Sequence, residues 1–173
     1  YSERLTQQEF DELFEGFESE SLHVEMRDMY GTQAEIGPFA TWVAGEPDDL
    51  AWLEGWGDTL RRGTAKGKVF RRACVVSEPL SEYRRWAHSL IPPLVEAGED
   101  IRWVPRRLVS SIPVPGNDFY LIDGHTVVFM HYSGAGAIQD IVVSTERSDV
   151  DLCRAAVDSP WEFAVPHQDY EPF

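Results

Sequence analysis

The stretch Val69-Phe70-Arg71-Arg72-Ala73-Cys74-Val75-Val76-Ser77-Glu78-Pro79 decides the fold. Its first eight residues are rich in β-branched and other apolar side chains, and the run stops at a proline, which cannot continue a ladder, so it reads as a strand. Leu80, Tyr83, Trp86, Ala87, Leu90, Ile91 and Leu94 then recur at helical spacing, with Gly98 placed as a C-cap and Ser77 as the N-cap of a helix starting at Pro79. Ile101-Arg102-Trp103-Val104-Pro105 resumes as strand. The unit from Lys68 to Arg107 is therefore a βαβ unit, expected to be parallel and right-handed.

Downstream, a loop over Leu108 to Asn117 leads into Asp118-Phe119-Tyr120-Leu121-Ile122, which reads as a strand. Asp123-Gly124 is a strong two-residue hairpin signal, and Thr126 to Tyr132 is the partner strand. The turn Ser133-Gly134-Ala135-Gly136 sends the chain into a third strand, Ala137 to Thr145, completing an antiparallel meander. Ser148 is expected to cap a last helix through Val150, Cys153, Ala156 and Val157, interrupted by Pro160, and His167 to Phe173 reads as a polar tail.

Upstream, Thr6-Gln7-Gln8-Glu9 is a capping box, and Phe10, Leu13, Phe14 and Phe17 continue it as the apolar stripe of a helix from Thr6 to about Ser19. Leu22 to Arg27 alternates apolar with polar and reads as a half-buried strand. His23, Glu25 and Arg27 then share one face, either a solvated edge or one wall of a polar cleft continuing into Asp28, Tyr30 and Glu35. Pro38 is placed to open a short helix through Val43, and Asp48 to cap a second one from Asp49 to about Arg62 with Trp52, Leu53, Trp56 and Leu60 as its apolar face. The fold class is α/β. The βαβ unit and the meander share one mixed sheet, with an N-terminal helical layer and a C-terminal helix. A single domain is expected over residues 1–173, divided into an N-terminal layer (1–67), an α/β core (68–165) and a tail (166–173).

Hydrophobic content of 43% places the chain among folded globules. No run approaches the roughly 20 apolar residues of a membrane helix, no basic leader followed by an apolar stretch is present, and a cytoplasmic protein without a membrane partner is expected. Cys74 and Cys153 fall on predicted core elements without metal-ligand spacing, so they read as buried thiols. The net charge of −15 argues against direct nucleic-acid binding, which depends on neutralising phosphates. Its distribution is uneven: residues 1–60 hold two basic and fifteen acidic side chains, whereas residues 61–107 hold eleven basic and five acidic ones. The basic middle either compensates the acidic first third internally or forms a partner- or anion-facing patch from Arg61, Arg62, Lys66, Lys68, Arg106 and Arg107 together with the four arginines Arg71, Arg72, Arg84 and Arg85. Arg84 and Arg85 are expected on the outer face of their helix. One of Arg71 and Arg72 must point inward, and Glu25 is the carboxylate expected to meet it.

Ser77 and Glu78, at the strand-to-helix corner, offer an anion site through the amides of Leu80 and Ser81. Ser77, His131 and Asp123 lack the elbow motif of a catalytic triad. Asp118 and Asp123 lie five apart on one strand, hence on opposite faces, and cannot share a metal with His131. No Gly-rich phosphate loop, dinucleotide fingerprint or HExxH is present, so neither a cofactor nor a metal is expected.

The order strand, helix, strand, loop, hairpin, strand, helix over residues 68–164, with "VEAGEDIRWVP", "LIDG" and "PWEFAV", resembles one repeat of the phospholipase D-like fold. Enzymes of that superfamily carry His-x-Lys-x4-Asp on the first hairpin strand: the His attacks phosphorus, the Lys holds phosphate oxygens and the Asp supports the site. Aligning Asp123 with that Asp puts Asp118 at the Lys position and Gly116 at the His position. With both chemical residues gone, and a carboxylate where the phosphate must be held, catalysis of that type is not expected. "VEMRDMYG", "ACVVSEPLSEYRRW", "AGEDIRWVPR" and "NDFYLIDG" also resemble an actinobacterial family of unknown function whose members are often found beside, or fused to, helix-turn-helix regulators.

The resulting expectation is a non-catalytic regulatory or protein-interaction module in a transcription-regulator or toxin-antitoxin-like system. Its expected partner is a helix-turn-helix regulator or a small acidic protein, with a small anion as a further ligand. The alternative is a small hydrolase or transferase acting on an anionic metabolite in a cleft of Glu25, Arg27, Tyr30, Arg71, Ser77 and Glu78, with Glu35 and Asp118 extending its polar wall.

Overall fold

The computed structural model describes residues 2–173. Eight strands are found among them, numbered in chain order: β1 (Ser2–Leu5), β2 (Glu20–Glu25), β3 (Val69–Val76), β4 (Glu99–Pro105), β5 (Asp118–Ile122), β6 (Thr126–Tyr132), β7 (Ile138–Ser144) and β8 (Val165–Pro166). They join in one mixed sheet of order β1-β7-β6-β5-β2-β3-β4-β8. β2, β3 and β4 run parallel, and β5, β6 and β7 form the antiparallel meander, with β5 pairing antiparallel to β2. The helices are α1 (Gln7–Gly16), α2 (Gln33–Val43), α3 (Glu54–Ala65), α4 (Glu82–Glu96) and α5 (Arg147–Trp161).

The predicted α/β class and the βαβ-plus-meander sheet are present. The place of β2 decides between two expectations. Its alternating pattern allowed a solvated edge or one wall of a polar cleft, and the edge is excluded, because β2 lies in the middle of the sheet between β3 and β5 with both its faces covered. Leu22 and Val24 pack with Ala73, Val75, Phe119 and Leu121 under α5, while His23 and Glu25 face the helices on the other side. That second side buries Phe10, Phe14 and Phe17, Leu60 of α3, and Ile91 and Leu94 of α4 against Phe70, Ile101 and Trp103.

Local signals explain most boundaries. Thr6 accepts from the Glu9 amide while Glu9 accepts from Thr6, closing the capping box, but α1 stops at Gly16, earlier than Ser19. The hairpin residues Asp123 and Gly124 have φ of 51° and 72°, the left-handed pair a two-residue turn needs. Asp123 also accepts from the amides of Glu18, Ser19 and Glu20, which ties the start of β2 to the hairpin.

Other expectations are corrected. Ser77 is not a helix cap: its amide and hydroxyl both donate to Asp28, and α4 begins later, capped by Ser81, which accepts from the Arg84 amide. Pro79 disfavours helical backbone in Glu78, so the cap falls beyond it. Pro38 does not open α2 but lies inside it, because the helix starts at Gln33 with its first turn held by Tyr83 donating to Glu35. Asp48 holds the Leu50 amide and the Trp52 indole instead of capping α3, and a short 3-10 turn, Ala51–Leu53, comes first. Ser148 lies within α5, which starts at Arg147 and runs through Pro160. The chain end is no polar tail: Tyr170 is 7% exposed and stacks on Trp103, and the Phe173 carbonyl accepts from the Leu80 amide.

Candidate functional site

Alternation along three neighbouring strands puts His23 and Glu25 (β2), Arg72 and Cys74 (β3) and Asp118 and Tyr120 (β5) on the helix-covered face opposite α5. In the parallel register His23 lies beside Arg72 and Glu25 beside Cys74. Arg72 reaches Glu99 of β4 through two bonds, Nε to Oε2 at 2.7 Å and Nη2 to Oε1 at 2.8 Å, and donates from Nη1 to Glu25 at 3.2 Å. Glu25 in turn receives Arg84 Nη1 at 3.0 Å. Arg84 also donates from Nε and Nη2 to the Arg27 carbonyl, and Trp56 donates its indole N–H to Glu99. Glu99, Arg72, Glu25 and Arg84 thus form a chain of alternating sign with no net charge, inside which each charge-assisted bond compensates the loss of water. Burial pushes the Glu25 carboxyl up, but Arg84 and Arg72 outweigh it and bring its pKa down to about 2.

Of Arg71 and Arg72, one of which was expected to point inward to Glu25, Arg72 is the one that does. Arg84 is the main departure: expected on the outer face of its helix, it is 2% exposed. A helical clue existed, since Arg84 and the buried Ile91 are seven residues apart and share a helix face. Arg85 is exposed, and Arg71 is exposed with its guanidinium 5.7 Å from the Trp161 ring. The four arginines therefore do not form one patch.

Of the expected polar-cleft residues, Glu25, Tyr30 and Glu35 line a common cavity, while Arg27 and Asp118 are held outside that lining by partners of their own. Asp118 accepts from the Met26 amide at 2.9 Å and from the Tyr30 hydroxyl in a short bond. Burial raises its pKa to about 6 against the pull of those donors. Glu35 accepts from Thr32 and Tyr83. Arg27 donates to the Met29 carbonyl and sits 5.6 Å from the Tyr132 ring centre. Ser77 is engaged with Asp28 and receives Arg106, while Glu78 meets Tyr170 and Arg107. Glu25, Ser77 and Glu78 do not converge on one cleft. The Leu80 amide of the expected anion site is used by Phe173. Among the described residues no group of three His, Cys, Asp or Glu side chains could hold a metal ion.

Two concave features adjoin α2. A cavity of about 330 Å3 lies against the ionic chain and is walled by rings that include Trp52, Tyr83, Tyr120 and Tyr132. On the outer side, a groove of about 790 Å3 is lined by Met29, Ile36, Phe39 and Val43, with Glu35 and Glu82 at its rim. Of the cavity, the expected polar cleft anticipated Glu25, Tyr30 and Glu35 but not the rings around them, and the outer groove was not anticipated. The signal available was the density of Trp and Tyr between Tyr30 and Trp56, which a small helix pair cannot bury alone.

Comparison with known proteins places the chain in a family. The domain of unknown function DUF6879 matches residues 8–172, and the chain belongs to that family. No curated protein matches. The fold is similar to a phospholipase D family member, Nuc from Salmonella typhimurium (TM-score 0.55, 7% identity, 96% of this chain and 98% of that one), and to NucT from Helicobacter pylori (0.51, 7%, 96% and 97%). It is also similar to TrmBL2, an archaeal chromatin protein (0.50, 15%), of which it covers 53% while 95% of this chain is matched, so it spans about half of that protein. At these identities the likeness is one of fold. No helix among the described residues is long and apolar enough to cross a membrane.

Proposed function

We propose that this member of a domain family of unknown function is a non-catalytic interaction module that docks an amphipathic, basic-edged helix of a regulatory protein on α2. The observation that carries it is that α2 buries none of its own residues fully, while Ile36 and Val43 are 55% and 53% exposed and neighbouring Met29 is 46% exposed. Isolated exposed apolar residues need no explanation, but a continuous apolar groove does. Its surroundings are acidic: Glu82 and Glu35 at the rim, then Glu46 and Asp49 beyond the helix end. A helix laying apolar anchors into the groove and lysines or arginines along that rim is the complement. The basic surface that would favour an acidic partner is dispersed, because Arg72 and Arg84 are consumed internally.

Helix-turn-helix regulators, which the sequence resemblance suggests as neighbours in the actinobacterial family, are the partner class that fits a basic-edged helix. The enzyme alternative loses support because Ser77 and Glu78 are paired off away from the cavity that Glu25 and Tyr30 line. Direct DNA binding, the mode named for the chromatin protein, is disfavoured by the net charge of −15.

Fluorescence anisotropy with a labelled Leu/Lys amphipathic helical peptide and a Leu/Glu counterpart tests the reading. The basic peptide should bind in a salt-sensitive manner at least about tenfold more tightly than the acidic one, and Ile36→Asp with Val43→Asp should abolish the difference. Equal binding of both peptides, binding unaffected by the double variant, or sedimentation showing that the groove is covered by a second copy of the chain would overturn it.

A further inference from the structure

The 330 Å3 cavity beside α2 has walls of aromatic rings and one unusual atom. His23 lines it with its ring flat on Tyr120, centroids 3.8 Å apart and planes 11° from parallel. Its Nε2 is buried and has no hydrogen-bond partner. A buried polar atom left unpaired is costly, and native structures keep few of them without a use. The other ring nitrogen, Nδ1, lies 3.9 Å from a Glu25 oxygen. That carboxylate favours the tautomer with its proton on Nδ1, which leaves Nε2 as a lone pair. Burial keeps the ring neutral, lowering its pKa to about 3 despite Glu25.

The charged groups in the cavity limit the occupant further. Arg72 and Arg84 are already neutralised by Glu25 and Glu99, so no cation is left to hold a phosphate. Glu35, which also lines the cavity, accepts only from the hydroxyls of Thr32 and Tyr83 and repels an anion. What the cavity offers is ring faces and acceptors.

We propose that the cavity is a small-molecule site for a neutral, planar heteroaromatic compound, which stacks among the Trp52, Tyr83 and Tyr132 rings and donates a ring N–H to His23 Nε2. The site is built on His23, Trp52, Tyr83 and Tyr132, none of which lines the α2 groove, although Tyr30 and Glu35 border both. Loss of peptide docking leaves it intact, and its own failure leaves the docking reading untouched.

Benzimidazole and adenine serve as probes, with 1-methylbenzimidazole lacking the N–H, adenosine monophosphate as the anionic control and choline as the cationic one. Saturable quenching of tryptophan fluorescence and a rise in melting temperature are expected for benzimidazole and adenine, and for none of the other three. His23→Phe keeps a ring against Tyr120 but removes the acceptor. It should weaken benzimidazole binding by roughly tenfold or more while raising the melting temperature of the unliganded protein by about 2–4 °C, since an unpaired buried nitrogen is gone. That rise separates a lost acceptor from a failed fold. The proposal is overturned if neither neutral heterocycle binds, if 1-methylbenzimidazole binds as well as benzimidazole, if choline or adenosine monophosphate binds in preference, or if His23→Phe leaves affinity unchanged.

Discussion

The two faces of the sheet differ in kind. Under α5 the contacts are Leu22, Val24, Ala73, Val75, Phe119, Leu121 and Val127 against Cys153, Ala156 and Val157, an almost wholly apolar layer. Across the same strands, one residue along in each case, lie His23, Glu25, Arg72, Asp118 and Tyr120, packed with aromatic rings and two buried guanidinium groups. A period of two lets one backbone carry both, so polar chemistry concentrates on one side without weakening the other. The α5 face supplies cohesion, and the opposite face holds the ionic chain, the cavity and, beyond them, α2.

The largest effect expected from breaking this contrast is on the ionic chain. Glu25→Gln leaves Arg84 buried without its carboxylate and should cost about 3–5 kcal/mol, read from urea unfolding. A loss below about 1 kcal/mol would mean that water reaches the pair. On the apolar face, Leu121→Ala should cost about 2–4 kcal/mol by deleting packing alone, with no added dependence on pH.

Next is a pH signature confined to the polar face. Folded Asp118 keeps its proton up to about pH 6, above the ordinary carboxylate value of about 4, so the native state binds more protons than the unfolded chain in that window. Asp118 by itself therefore withdraws up to about 3 kcal/mol as pH rises from about 4 to 6, while buried His23, with its pKa lowered to about 3, adds stability over the same range, so the Asp118 contribution is read as the difference between the unaltered protein and Asp118→Asn. Glu25 acts with the opposite sign, losing its contribution as pH drops from about 4.5 toward 2. A stability difference between the unaltered protein and Asp118→Asn that stays constant between pH 4 and 6 would contradict the Asp118 assignment. The smallest effect belongs to Arg85→Glu, which changes an exposed side chain and should stay within about 0.5 kcal/mol, whereas Arg84→Glu one position away should prevent folding.

The βαβ unit and the meander were legible because their signals are local: a β-branched run ended by Pro79, a helical stripe from Leu80 to Leu94, and Asp123-Gly124 at a hairpin. The capping box at Thr6 was legible for the same reason. The pairing of one of Arg71 and Arg72 with Glu25 followed from their alternation across a strand, together with the need of a buried cation for a carboxylate. Arg84 was misplaced because its charge suggested exposure, while what buries it, Glu25 and the Arg27 carbonyl, lies over fifty residues away. The place of β2 stayed open between an edge and a cleft wall because alternation reports that two faces differ, not what covers them. The cavity depends on where α2 and the Trp52 turn dock, and no local pattern encodes that.

The position of β2 has a consequence for how the chain is assembled. Its parallel neighbour β3 follows after two intervening helices, but its other neighbour, β5, lies about a hundred residues downstream and is clamped to it through Asp123. During synthesis one edge of the future sheet centre must therefore remain open until the hairpin has left the ribosome. Contacts of such high sequence separation slow folding, and an open apolar strand edge is prone to pairing with other chains. The meander, built from adjacent segments, is able to form quickly once made, and it is the element that closes that edge.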